Sequence, residues 1–132
     1  MKLANKVLVD SSAWISFFSS TRETILWDLI SEDLICTNEL ILTELIPFLL
    51  RANNQTAADS LLSIECIPLS IDWELIRKYQ SLNLSKGINK VGIPDLIILQ
   101  QVIEHKLPIL TNDKHFYLMK KHLHFEILDT ES

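Results

Sequence analysis

The chain has 132 residues, of which 48% are hydrophobic and 22% are charged, and its formal net charge is −5. This composition excludes a disordered chain, and the length predicts one domain over residues 1–132 with a sizeable buried core. Every apolar run is far shorter than the roughly 18 residues that a membrane helix needs. Asp10 ends the first apolar run too early for a secretory signal. We therefore expect a cytoplasmic protein, in which Cys36 and Cys66 are reduced thiols.

Short apolar runs alternate with helical patterns along the chain. The predicted strands cover residues 6–10, 34–36, 66–69, 109–111 and 125–128. The predicted helices cover residues 22–31, 38–51, 55–64, 71–82, 95–105 and 113–122, with Thr37 or Asn38, Ser70 and Asn112 as N-caps and Pro94 at a helix start. This alternation favours an α/β sandwich around a mostly parallel sheet, whose ligands gather beyond the carboxyl ends of the strands.

Four carboxylates lie where apolar segments begin or end, or where a charge is out of place. They are Asp10 and Asp113 after predicted strands, Asp95 before an apolar run, and Glu44 as the only charge in residues 40–50. An ionised carboxylate near a core is costly unless a partner neutralises it, and no Arg or Lys is close in sequence to Asp10, Glu44 or Asp95. A hard divalent cation would neutralise several at once, and oxygen ligands favour Mg²⁺ or Mn²⁺.

Each acid also has a simpler interpretation. Asp10 can be a cap, Glu44 can face solvent on an amphipathic helix, and Asp95 and Asp113 suit the first turn of a helix. It is their joint occurrence that indicates a metal site.

The net charge of −5 counts against a sequence-reading DNA binder, because phosphate binding usually needs a basic face. It counts little against a nuclease, because a bound divalent ion reverses the sign of the local field.

The two glycines of the chain, Gly87 and Gly92, lie together in the segment 85–92, which also contains Lys86 and Lys90. The simplest interpretation is a surface loop in which glycine permits a tight turn. The functional interpretation is a basic lip beside the acidic site that contacts a polyanion.

Four motifs of this sequence resemble those of PIN-domain proteins, in the same order and with similar spacing. They are residues 7–15 (hydrophobic strand, Asp, two serines, apolar helix start), 43–45, 92–98 and 110–116. The resemblance spans nearly the whole chain, and the size makes it most similar to the toxin half of VapBC-type toxin–antitoxin pairs. It implies a PIN-like three-layer α/β sandwich, with a mostly parallel central sheet flanked by helices.

The resemblance also implies a Mg²⁺- or Mn²⁺-dependent endoribonuclease toxin of a type II system, often a homodimer, that a small antitoxin protein holds inactive. Asp10 and Asp95 would be direct metal ligands. Glu44 and Asp113 would complete the catalytic acidic cluster, either as ligands or through bound water. The helix after Asp95 departs from the family, because residues 96–101 are bulky where PIN domains usually show a small, Ala-rich stretch.

The same motifs contain hydroxyl groups with a positioning role. By resemblance, Ser12 or Ser11 would hold the first carboxylate or a phosphate oxygen, and Thr111 would help to orient the last acid. A zinc site from the last three histidines is conceivable, but His115, His122 and His124 are interpreted as surface residues, with His115 a weaker candidate for contact with substrate.

Three other classes of protein compete with the nuclease. A catalytically silent PIN-like module that only binds a partner would be expected to have lost an acid, and all four acids are present. A haloacid-dehalogenase-like phosphatase needs a second Asp two residues after the first, where this chain has Ser12. A response-regulator receiver needs an early acidic pair, a central Asp and a late Lys, and no such set is evident.

Overall fold

The computed structural model describes residues 6–19 and 24–128. In chain order the elements are β1 (Val7–Val9), α1 (Ser11–Ser19), α2 (Thr24–Ser31), β2 (Ile35–Cys36), α3 (Glu39–Arg51), α4 (Gln55–Leu62), α5 (Trp73–Ser85), α6 (Ile93–His105), β3 (Ile109–Leu110) and α7 (Lys114–Met119). Within these residues, no helix combines the length and the apolar character that crossing a membrane requires.

The sheet has the strand order β2-β1-β3, and both pairings are parallel. Leu8 at the centre of β1 is opposite Cys36 on one side and Ile109 on the other. Every residue of the three strands is buried, which explains why they read as continuous apolar runs rather than alternating ones. The predicted α/β class with a parallel sheet is therefore confirmed.

Two predicted strands are wrong. The segment 66–69 makes only one isolated bridge, between Cys66 and Thr37. Pro68 has no N–H with which to continue a ladder, so pairing stops after one residue. The segment 125–128 also makes a single bridge, between Ile127 and Ile109, because β3 offers a partner of only two residues.

The helix caps differ from prediction at two positions. Asn38 caps α3 as expected, and its side chain accepts a hydrogen bond from the Ile41 N–H. The cap of α5 is Asp72 rather than Ser70, and α5 begins two residues later than predicted. Ser70 is held outside the helix because its carbonyl accepts a 2.7 Å hydrogen bond from Gln100 Nε2.

Helix α7 is shorter than predicted, and its cap is Asp113 rather than Asn112. The backbone of Asp113 is extended, and its carboxylate accepts a hydrogen bond from the His115 N–H. An ionised carboxylate suits this position better than an amide, because it also interacts favourably with the positive end of the helix dipole. The last acid of the sequence pattern is therefore fixed at a helix start directly beyond β3.

Candidate active site

The carboxylate of Asp10 lies at the carboxyl end of β1 and is held by two hydroxyl groups. The backbone N–H of Asp10 donates to the Leu110 carbonyl at 2.9 Å, which extends the β1–β3 pairing by one residue. Oδ2 of Asp10 accepts one hydrogen bond from Ser12 Oγ at 2.9 Å and another from Thr111 Oγ1 at 2.8 Å. The end of β1, the start of α1 and the end of β3 thus meet at one oxygen atom.

Backbone N–H groups beyond β3 orient both hydroxyls. The N–H of Asn112 donates to Ser12 Oγ at 3.0 Å, and the N–H of Asp113 donates to Thr111 Oγ1 at 3.0 Å. A hydroxyl has a single proton, so accepting from the backbone leaves that proton free to point at Asp10. Ser12 and Thr111 therefore connect the first acid to the backbone beside the last one. Contact of either hydroxyl with substrate stays a prediction.

Asp10 is costly to ionise in this position. Burial raises its pKa, since only 3% of the residue is exposed. The hydrogen bonds from Thr111 and Ser12 oppose this increase, and the charge of Asp113 adds to it. The pKa of Asp10 is raised overall, so the hydrogen bonds from the two hydroxyls do not compensate fully for the loss of hydration.

Asp95, in the first turn of α6, shows that the four acids converge. Burial raises the pKa of Asp95 to about 7, and the next contribution comes from the charge of Asp113. The charges of Asp10 and Glu44 raise the pKa further. A hydrogen bond between the Asp95 and Asp113 carboxyl groups acts in the same direction, because it requires a proton on one of them.

Glu44 approaches the cluster from α3 and is more exposed than the other acids. Ser11 Oγ donates to Glu44 Oε1 at 3.4 Å, which ties α3 to the first turn of α1. Burial raises the pKa of Glu44, the charge of Asp10 raises it as well, and the Ser11 hydrogen bond lowers it. The structure thus brings together all four acids that the sequence singled out.

His115, interpreted from the sequence as a surface residue, is half-buried beside the same cluster. One ligand atom each from Asp95, Asp113 and His115 all lie within 4.8 Å of one another. Nδ1 of His115 is 3.2 Å from Asp113 Oδ1, and the His115 N–H donates to the same oxygen at 2.9 Å. The sequence signal was the spacing of two residues from a capping acid, which lets the ring fold back over the cap.

The donor set fits a hard divalent cation. In the described part of the chain, no Lys or Arg nitrogen lies within 4.0 Å of these four carboxylates, and His115 is their one partner among the ion pairs. Three of the acids have raised pKa values, so the cluster is electrostatically unsatisfied by the protein's own groups. Carboxylate oxygens are the ligands that Mg²⁺ and Mn²⁺ prefer, and imidazole is not. His115 is therefore better suited to orienting Asp113 than to binding such an ion.

The model of the PIN domain family matches residues 7–122. This chain belongs to the PIN domain family. The match covers β1 through α7 and so includes all four acids of the cluster in one PIN domain. Comparison with curated proteins gave no match.

Solved structures of toxin–antitoxin complexes have the same fold. DNA-bound VapBC from Salmonella typhimurium is 20% identical with a TM-score of 0.74, covering 94% of this chain and 97% of the other. VapBC2 from Rickettsia felis, bound to a promoter DNA fragment, is 19% identical with a TM-score of 0.71, covering 93% and 96%. A toxin–antitoxin complex from Klebsiella pneumoniae is 21% identical with a TM-score of 0.61, covering 83% and 88%. At these identities the similarity establishes the fold of this PIN domain.

Proposed function

We propose that this PIN domain is a Mg²⁺- or Mn²⁺-dependent endoribonuclease and the toxin component of a type II toxin–antitoxin system. The observation that supports this most strongly is the convergence of four acids, among which the pKa of Asp95 is raised to about 7. Such crowding is unfavourable for the protein alone and favourable once a divalent cation is shared. The family match supports treating residues 1–132 as a single PIN-like domain.

We assign the ion to Asp10 and Asp95 as direct ligands, with Glu44 and Asp113 completing the site directly or through water. A bound Mg²⁺ or Mn²⁺ supplies charge stabilisation at the phosphate and lowers the pKa of a coordinated water. The chain itself holds the ligands in place, because Ser12 and Thr111 fix one oxygen of Asp10. In the same way, the His115 contacts fix the rotamer of Asp113.

We propose that a small antitoxin protein holds the enzyme inactive. The antitoxin-bound structures that share this fold support such a partner. An Arg or Lys from the partner would form charge-assisted hydrogen bonds with the acidic cluster and compete with the metal ion. Inhibition should then weaken as salt or Mg²⁺ is raised, and a partner lacking that basic residue should inhibit poorly. We also propose a homodimer, which sedimentation equilibrium of the purified chain would test.

Cleavage of a mixed-sequence RNA pool by the purified chain tests the ribonuclease activity. The reactions contain Mg²⁺, Mn²⁺ or EDTA, and the variants are Asp10→Asn and Asp95→Asn. Asp28→Asn is the matched control, because Asp28 is an exposed aspartate on α2. We expect metal-dependent cleavage that both site variants lose and the control retains.

Two results would contradict the proposal. A folded, metal-loaded chain that cuts no RNA would favour the catalytically silent partner-binding module. Cleavage that survives both site substitutions would place the activity elsewhere or in a contaminant. The phosphatase alternative has no structural support, because the position of its second acid is Ser12, whose hydroxyl donates to Asp10.

A further inference from the structure

The basic residues of this acidic protein are concentrated in two segments that contain no Asp or Glu. Residues 75–94 and 114–125 together hold seven of the 12 Lys and Arg residues and none of the 17 acids. A lysine at the end of a helix is favourable by itself, but that effect is confined to one helical turn. It does not account for the absence of acids over both segments.

The fold packs these two segments against each other. The side chain of Asn83 on α5 is fully buried, and its Nδ2 donates to Met119 Sδ at 3.3 Å. Its Oδ1 lies 3.1 Å from His122 Nε2. Since Oδ1 can only accept, the His122 proton is on Nε2, and the ring is fixed in orientation. The contact joins the carboxyl end of α5 to the turn that follows α7.

An open cleft of about 280 Å³ lies at this junction. Its lining consists of Lys86, Ile88, Leu118, Lys121 and His122. Both lysines are exposed, and neither forms an ion pair within the described residues. Lys86 is close enough that its charge, after burial, helps to lower the pKa of His122. Two unpaired cations at one cleft are groups that bind a phosphate. His122 directs its Nε2 proton at Asn83, so it orders the wall of the cleft and does not donate to the phosphate.

The cleft is connected to the acidic site along both segments. The loop after Lys86 runs through Lys90 to Asp95, and α7 begins with Lys114, next to Asp113. From His115 to Met119 α7 rises about 6 Å, at roughly 1.5 Å per residue. The compact turn that follows carries the chain to His122, so the cleft lies on the order of 10 Å from the acidic site. A stacked strand covers that distance in about three nucleotides, at roughly 3.4 Å each.

We propose that the cleft between Lys86 and Lys121 is a second phosphate-binding site, which holds the backbone of single-stranded RNA about three nucleotides from the bond that is cut. This inference rests on the proposed ribonuclease function. It assigns the basic segment before Asp95 a role in substrate binding, and it explains how a chain with a charge of −5 attracts a polyanion. The site discriminates by strand length and not by base.

Binding of a fluorescein-labelled, mixed-sequence 12-nucleotide RNA tests the proposal. The background is Asp95→Asn, so that the probe is not cut, and affinity is measured by fluorescence polarisation at several salt concentrations. Lys86→Ala combined with Lys121→Ala should weaken binding about tenfold. It should also lower the slope of log affinity against log salt by about 0.7 for each phosphate that is no longer neutralised. The matched control is Arg51→Ala with Lys106→Ala, which removes two exposed cations that lie outside both basic segments.

Cleavage by the chain with an intact acidic site supplies the second readout. The variant that combines Lys86→Ala with Lys121→Ala should have a lower kcat/KM on the 12-nucleotide RNA. It should keep the parent value on a dinucleotide, which is too short to reach the cleft. An unchanged salt slope, or an equal loss on both substrates, would overturn the second site and leave the ribonuclease intact. If the unmodified chain neither binds nor cuts either RNA, the ribonuclease proposal fails as well. Circular dichroism of each variant verifies that the fold is retained.

Discussion

Thr111 Oγ1 donates a 2.8 Å hydrogen bond to Asp10 Oδ2 and thereby joins the carboxyl ends of β3 and β1. The same oxygen of Thr111 accepts from the Asp113 N–H at 3.0 Å. One fully buried hydroxyl thus positions the first acid and the backbone that begins α7. The geometry of the candidate metal centre therefore depends on a side chain that need not touch the ion.

Thr111→Val tests this dependence, because valine has nearly the same shape and lacks the hydroxyl. The change leaves the Asp113 N–H without its acceptor and removes a donor from Asp10. We expect a loss of about 1–3 kcal/mol in the free energy of unfolding, together with weaker Mn²⁺ binding by isothermal titration calorimetry. The control is Thr56→Val on the exposed face of α4, which should change both quantities little. Unaltered Mn²⁺ affinity in Thr111→Val would contradict the positioning role.

The raised pKa of Asp95 predicts how the stability of the metal-free protein depends on pH. Its pKa in the folded chain is about 7, above the ordinary value of 3.8. Between these values the folded state binds more protons than the unfolded state, so stability falls as pH rises through this window. We expect Tm in EDTA to be higher at pH 5 than at pH 8. Asp95→Asn should reduce this difference, and a Tm in EDTA that rises over the same range would contradict the prediction.

Metal binding should show the opposite dependence on pH. Mg²⁺ must displace the proton that Asp95 holds near neutral pH, so its apparent affinity should rise from pH 6 to pH 8. The increase in Tm on adding Mg²⁺ should therefore be larger at pH 8. The same measurement on Asp28→Asn, an exposed site on α2, should reproduce the parent profile. A metal effect that is constant over this range would mean that Asp95 is not a ligand.

The cap of α5 offers a direct comparison of two neighbouring residues. Asp72 Oδ1 accepts from the Leu75 N–H at 3.1 Å, whereas Ser70 accepts from Gln100 through its backbone carbonyl. Asp72→Ala should lower the free energy of unfolding by about 1 kcal/mol, and Ser70→Ala should leave it nearly unchanged. The free energies of unfolding of both variants in urea show which of the two side chains caps α5. An equal loss of unfolding free energy in both variants would mean that the Ser70 side chain also contributes to the cap.

Local patterns in the sequence predicted the parts of the fold that depend on local chemistry. The buried strands β1, β2 and β3 are short apolar runs, and Asn38 is a capping residue at the right place. The positions of Asp10, Asp95 and Asp113 where elements begin or end, with Glu44 as the lone charge of an apolar helix, indicated their convergence. The motif order and the parallel sheet made that convergence geometrically possible.

Local sequence patterns could not predict contacts between residues that are far apart in the sequence. Ser70 has good capping chemistry, but a long-range hydrogen bond from Gln100 holds it outside the helix. His115 reads as polar surface, and only the cap geometry of Asp113 turns it toward the acids. The junction between Asn83 and His122 spans 39 residues of sequence and has no local signature. Each of these outcomes was decided by tertiary structure.

The bulky stretch in α6 contains Gln101, which forms a buried polar pair with Asn38 at the start of α3. Asn38 Nδ2 donates to Gln101 Oε1 at 2.7 Å, and Gln101 Nε2 donates at 3.3 Å to the carbonyl groups of Ile67 and Pro68. Gln101→Leu leaves the Asn38 amide and these carbonyls unpaired, so unfolding by urea should show a loss of about 1–3 kcal/mol or more. Gln55→Leu, at an exposed site on α4, should cost far less. If Gln101→Leu were as stable as the unsubstituted chain, water would replace the Gln101 side chain. This glutamine would then not stabilise the packing of α6 against the start of α3.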